Sequence, residues 1–379
     1  MGGNKYGSEE YHIGKTLRWL QEKPPAAVVH VDKITTIGCN FLPSIAYNAI
    51  SRAPIRIQLL THADTLSKTA IRHQLALAEE LNAKIDHQKQ QATAIFVINP
   101  TLVLKQRQLR PLIDGLYGAY ILGSGKIPAL VVTGPPNVGK SSIIFPLTKP
   151  RTLQVKKKKA YHLPRISSTA GHTLGVKSHV MSAAGYSNDL TLYDTPGLRR
   201  RIEDAEPRTI IGMVGSNVTE FRNGYSEFVT PMDCVDFVLK ALNRHAALTG
   251  MEVPTYGIEL GLDRYTNDPN EILTAYRNHE STKGRSEMEF IRRCNRGEFG
   301  GLVFSDRQPR SVERINLEDI REQDSIITYM NEAAQQLISY ATNPGTSPDF
   351  ELEVPRPPRR GHYHDDDEDE LQMMMDKLS

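Results

Sequence analysis

Residues 134–141 read Gly134-Pro-Pro-Asn-Val-Gly139-Lys140-Ser141, and they decide the fold. The stretch satisfies GxxxxGK[ST], a pattern with a mechanical reason behind it. Backbone N–H groups must turn inward around a phosphate, and glycines keep a Cβ out of their way. Lys140 is placed to bridge the β- and γ-oxygens of a nucleoside triphosphate, and Ser141 to ligate Mg²⁺ through its hydroxyl. A helix opening at Ser141 would aim its positive end at the same phosphates. The β-branched run from Ala129 to Thr133 precedes the loop and an apolar stretch follows it, which is the strand–loop–helix context the chemistry needs.

Working outward, short β-branched runs recur. Ala26-Ala-Val-Val-His-Val-Asp32 and Ile55-Arg-Ile-Gln-Leu-Leu60 come first, then Ala94-Ile-Phe-Val-Ile98 and, beyond the loop, Leu190-Thr-Leu-Tyr193. Ile71, Leu75, Leu77, Ala78 and Leu81 keep helical spacing between the second and third runs, and residues 109–122 read as another helix. Strand alternating with helix predicts a parallel sheet covered on both faces, in one α/β domain over 26–215. Residues 1–25 are expected to be a helical segment. The pattern then changes to helices at 233–247, 269–276 and 287–294, a small second domain over 220–305. Prolines and the acidic block at 365–370 mark 306–379 as an extension with a disordered tail.

Downstream of the loop, Asp194-Thr-Pro-Gly197 closes a strand. Asp194 is expected to hold Mg²⁺, and the Gly197 amide to sense a γ-phosphate. Between the two motifs, Thr173 offers a hydroxyl to Mg²⁺ and the γ-phosphate, with Thr169 as the alternative. Upstream, the strand ending at Leu60 runs into Thr61-His62-Ala63-Asp64, where a base-reading loop belongs if the motif order is permuted.

Five segments carry a family resemblance in one order: His12-Ile-Gly-Lys15-Thr-Leu-Arg18, Val29-His-Val-Asp32, Gly134 to Ser142, Asp194-Thr-Pro-Gly-Leu198 and Phe290-Ile-Arg-Arg-Cys-Asn-Arg-Gly-Glu-Phe-Gly300. Together they resemble the circularly permuted ribosome-assembly GTPases, in the branch of bacterial ribosome biogenesis GTPase A and mitochondrial ribosome-associated GTPase 1. The resemblance implies a permuted P-loop GTPase domain that binds GTP with Mg²⁺ and docks on a precursor of the large ribosomal subunit, touching rRNA and ribosomal proteins. It implies that Asn137, Val138, Gly139, Lys140, Ser141 and Ser142 line the nucleotide, with Asn137 admitting K⁺. Asp64 is implied to read guanine, flanked by Thr61 and His62 where the family carries Asn and Lys. Leu198 stands where many GTPases carry a water-orienting glutamine, and the family's substitute maps to His12. The second base-contact loop falls at Asn99-Pro100-Thr101. The departures at Thr61 and His62 leave open a second reading, a non-enzymatic scaffold that occupies the precursor.

The remaining composition sets bounds. A net charge of +2 makes no bulk case for nucleic acid, so the RNA expectation rests on four lysines at 156–159 and three arginines at 199–201. Cys39, Cys234 and Cys294 show no CxxC spacing, which argues against a zinc site or disulfide framework and for a reducing compartment. No apolar run reaches the length of a membrane span. Tyr6 stands where a myristoylation signal needs Ser or Thr, and the start is not an Arg-rich transit peptide. Sequence divergence points to the mitochondrial matrix, with bacterial cytoplasm as the alternative, and a monomer is expected.

Overall fold

A parallel strand with helices on both sides is apolar on both faces. The run Ile55–Thr61 (β2) is buried at every position. It pairs in parallel with Ala27–Lys33 (β1) and Thr93–Val97 (β3), and β1 pairs in turn with Leu130–Thr133 (β4). Asp189–Asp194 (β6) joins β4 in parallel, and Lys177–Ser182 (β5) closes the edge antiparallel to β6. The computed structural model describes residues 9–39, 42, 44–50, 52–89, 93–98, 102–116, 121, 130–148, 175–182, 189–200, 206–215, 229–279, 286–310, 312, 334–335 and 337–338. Thr169, Thr173, the lysines at 156–159, Arg201, the 99–101 loop and the acidic tail lie outside them.

The sheet order is β3-β2-β1-β4-β6-β5. The strand that carries the phosphate loop, β4, lies at the centre. The described strands that precede it in the chain lie on one side of it and those that follow lie on the other. A GTPase that begins at its phosphate loop would add the base-side strands last. Here they come first and the sheet still closes the same way, so the chain order is circularly permuted. Among the described strands, β5 departs from the parallel expectation by running antiparallel to β6. Its charged and polar residues suit an edge that must not recruit a further strand.

One sheet face packs Val29, Val31, Ile57, Leu59, Phe96 and Val132 against Leu102–Leu116 (α4) and Lys140–Ile144 (α5). The other face is divided. Glu9–Glu22 (α1) and Ser44–Ile50 (α2) share a core with Val28, Val131 and Leu198. Lys68–Lys89 (α3) covers Leu60, Ile95 and Val97. Between these two cores the sheet presents His30, Asp32, Arg56 and Gln58. Asn82 of α3 donates to Gln58 Oε1 at 2.6 Å, and Gln58 Nε2 donates to Asp32 Oδ2 at 2.9 Å. A cavity of about 440 Å³ is lined by this polar seam and also by Pro135 and Arg200.

A second core joins Pro207–Gly215 (α6), Pro231–Thr249 (α7), Thr255–Leu260 (α8), Pro269–Asn278 (α9) and Glu287–Asn295 (α10). Its aromatic centre stacks Phe290 on Phe299 at 5.5 Å and sets Tyr276 edge-on to Phe290 at 5.2 Å. The segment after α10 returns to the sheet domain, where Phe304 N donates to Thr35 O at 3.2 Å. Its Gln308 also meets His73 of α3 at 2.7 Å.

The longest helix of this second core, α7, opens with a capping box: Thr230 Oγ1 accepts from Asp233 N, and Asp233 Oδ2 accepts from Thr230 N. Thr230→Ala is expected to lower stability by about 1 kcal/mol, read as a lower urea midpoint at unchanged m-value.

Candidate functional site

The phosphate loop follows β4 directly, and its shape is set by close backbone approaches. At Gly134, φ is +147°, and a Cβ there would lie 2.1 Å from the carbonyl oxygen of Val31 in β1. Only glycine lets the loop cross β1 so tightly. Asn137 and Gly139 also take positive φ, 58° and 90°, which turns successive amides toward one concavity. Gly139 then caps α5. Val138 is buried in the sheet core, while Ser141 and Ser142 are half-buried on the first turn.

The segment 194–198 locks onto this loop. Thr195 N donates to Val132 O at 3.1 Å, and Leu198 N donates to Gly134 O at 3.0 Å. A Cβ on Gly197 would meet Pro136 Cα at 2.7 Å, so glycine is required for contact and not only for freedom. Leu198 is fully buried in the core beneath α1. Its apolar side chain does packing work in the place of a water-orienting glutamine. Arg199 is buried and donates to the Arg200 carbonyl, and Arg200 Nε donates to Leu42 O at 3.3 Å. These two arginines pin the segment instead of presenting open charge.

Charge in the site is held at a cost. Lys140 Nζ donates to the carbonyls of Gly134 at 3.0 Å and Pro135 at 2.6 Å. Burial pulls its pKa down to about 8, against the opposing pull of Asp194 and Asp32. Burial likewise pushes Asp194 up to about 6, although Lys140 and Lys177 favour its charged form. Asp194 Oδ1 is buried, and no described group hydrogen-bonds it. A buried carboxylate oxygen left over beside the first helical turn fits a hard cation with oxygen ligands. Asp194 with Ser141 would hold Mg²⁺ there, which supplies positive charge at the phosphates. Burial also works against charge on Asp32, but His30, Gln58 and Lys140 hold its carboxyl below the usual value. Asp32 and His30, 2.8 Å apart, join the site although no chemical motif marks them. Their signal is two polar residues at alternate positions within a strand that is apolar from Ala27 to Val31 apart from His30.

The base-side loop leaves β2 at Thr61. Thr61 Oγ1 donates to Val138 O at 2.8 Å, also reaches the Asp32 carbonyl at 3.1 Å, and lies 2.8 Å from His62 Nδ1. The hydroxyl therefore ties the base-side loop to the phosphate loop. His62 adopts the left-handed conformation at φ 62° and leads into a 3-10 turn, Ala63–Thr65, that presents Asp64 to solvent. Thr65 Oγ1 donates back to His62 O at 3.0 Å. The structure thus gathers Asn137 to Ser142, Asp194, Gly197 and Thr61 at one end of the sheet, with Asp64 beyond Thr61. His12 lies half-buried on α1, edge-on to Tyr11 at 5.5 Å, and its neighbour Ile13 packs in the core that holds Leu198.

Asp194 makes a testable cost. A raised carboxyl pKa stabilises the fold fully below the unfolded value near 4, and that contribution is lost as pH rises through about 6. Asp194→Asn should therefore exceed the nucleotide-free wild type in stability at pH 7 by up to about 3 kcal/mol, with the gap closing toward pH 4. Urea titrations across that range, paired with loss of Mg²⁺-dependent nucleotide binding, check it.

Against protein families, residues 129–250 match the one described as 50S ribosome-binding GTPase. The match runs from β4 through α7 and contains the phosphate loop and Asp194. A comparison with curated proteins finds no match. Among solved structures, the chain is similar to the GDP-bound structure of TM YlqF. The two share 16% identity over 79% of this chain and 99% of that one, at a TM-score of 0.40. A likeness that loose bears no weight, and the permuted order rests on the strands themselves. The interlocked loops and the family match agree that the segment 129–250 carries the phosphate-loop part of a GTPase domain.

Proposed function

We propose that the chain is a guanine-nucleotide-dependent assembly factor for the large ribosomal subunit, working in the mitochondrial matrix. One observation carries the nucleotide part. Three loops far apart in sequence meet at one end of the sheet, joined by the Thr61–Val138 and Leu198–Gly134 hydrogen bonds. Loop amides and Lys140 take the phosphates, Ser141 and Asp194 the divalent cation, and Gly197 the γ-phosphate. Asp64, exposed on the 3-10 turn past Thr61, accepts from the N1 and N2 hydrogens of guanine. Thr61 does by one hydroxyl the buttressing that an asparagine does in the family's motif.

Leu198 is committed to the core, so the attacking water is oriented from elsewhere, and His12 takes that part. Asn137, held at positive φ within the loop, admits K⁺ beside the phosphates. Support for the ribosomal partner comes from the name of the matched family and from the lysines at 156–159. The helical domain contributes less charge than its composition suggests. Arg264 pairs with Glu271, Arg277 with Glu287, and Arg293 and Arg296 with Glu298, so rRNA phosphates must compete with carboxylates there. The matrix assignment rests on the divergence of the base-side motif, and bacterial cytoplasm is the alternative.

Equilibrium binding of labelled GTP, competed with ATP in K⁺ and then Na⁺ buffer, tests this reading. GTP should be preferred over ATP by on the order of 100-fold or more, since a site built on base hydrogen bonds rejects a base that cannot make them. K⁺ should tighten binding or speed turnover relative to Na⁺. His12→Ala should lower turnover by about 100-fold, the scale of a lost water-orienting group, with GTP affinity unchanged. Equal competition by ATP would defeat the guanine assignment, and unchanged turnover in the variant would remove His12.

A further inference from the structure

The base-side loop is gripped from two directions, and only one grip belongs to the sheet domain. Thr61 ties its start to the phosphate loop. Its far end is held by the helical domain. Ser67 N donates to His245 Nε2 of α7 at 3.3 Å, across 178 residues of sequence. Ser67 Oγ in turn accepts from Ala70 N at 3.2 Å and so caps α3.

The turn after α10 closes the same clasp. Gly297, at φ +80°, lies so near Thr65 that a Cβ would be 3.0 Å from its methyl carbon. Gly301 lies between the His245 ring and the Thr65 carbonyl, where a Cβ would come within 2.6 Å of both His245 Nε2 and Thr65 O. His245 is itself buried. Burial lowers its pKa, which favours the neutral ring that an acceptor Nε2 requires.

We propose that His245 is a positioning residue for base recognition: by accepting from Ser67 it fixes the 3-10 turn that carries Asp64. This rests on the reading of Asp64 as the guanine contact. A loop of six residues, 62–67, with a left-handed start has few ways to hold one carboxylate within hydrogen-bond tolerance, and a fixed point at each end supplies that order. The helical domain is then part of the nucleotide site, and guanine selectivity depends on a residue outside the nucleotide-binding domain.

The test uses the full chain and two fluorescent diphosphates, GDP and IDP. Inosine lacks the 2-amino group, so IDP keeps the phosphate contacts and loses part of the Asp64 contact. His245→Ala should weaken GDP by about tenfold, the scale of a displaced charge-assisted hydrogen bond, and move IDP far less. The GDP/IDP ratio therefore collapses. His245→Gln, which offers an amide oxygen in place of Nε2, should restore most of the ratio. A general loosening of the fold would weaken both nucleotides together, and that result overturns the proposal. Unchanged affinities in His245→Ala also overturn it. Asp64→Ala separates this failure from failure of the base assignment. If Asp64→Ala abolishes discrimination and His245→Ala leaves it intact, the positioning role alone is lost. If neither wild type nor Asp64→Ala discriminates GDP from IDP, both readings are lost.

Discussion

The arrangement depends on how closely the phosphate loop can approach the backbone on either side of it. Gly134 crosses β1 at a separation no side chain would permit, and Gly197 presses on Pro136 with equally little room. Dense packing of this kind leaves the loop few alternative shapes. The left-handed turns at Asn137 and Gly139 continue the loop from there and turn successive amides toward one concavity. The strand order supplies the frame: β4 is central, so the segment from β6 and the loop from β2 reach it from opposite sides.

A frame this tight must also tolerate buried charge. Lys140 and Asp194 are both held where burial disfavours their ionised forms. Their mutual attraction does not repay that cost in full. Such groups persist where chemistry requires them, and stability is given up locally for a site ready to meet phosphate and metal. The polar seam of His30, Asp32, Gln58 and Asn82 continues this theme away from the loop. It divides the cover of one sheet face into two apolar cores and places Asp32 within electrostatic reach of Lys140.

The helical domain is joined to this frame through contacts that also touch the base-side loop. His245, Gly297 and Gly301 meet Thr65 and Ser67, and Phe304 pairs with Thr35 beside β1. The second core is thus linked to the nucleotide end of the sheet by backbone contacts as well as by side chains. α7 and the turn after α10 thus touch residues next to Asp64.

Much of this was legible in the residues alone, where the requirement is local. A phosphate loop needs glycine at fixed offsets, so residues 134–141 announce themselves. Buried parallel strands need β-branched runs, so five strands and the helices at 233–247, 269–276 and 287–294 could be read within a few residues. The edge strand β5 was not legible, because its Lys177, Ser178 and His179 carry no apolar alternation and only pairing with β6 makes it a strand. Permutation could be inferred from motif order, since order is a property of the chain. Partners could not. That Thr61 would meet Val138, 77 residues away, and His245 would meet Ser67, 178 residues away, depends on which surfaces the packed cores bring together. A threonine at the end of a strand and a histidine on a helix carry no mark of those contacts, because a single hydrogen bond between distant segments leaves no periodicity behind. The sequence determined which loops exist and what chemistry each can do; the tertiary structure alone decided which side chains hold them in place.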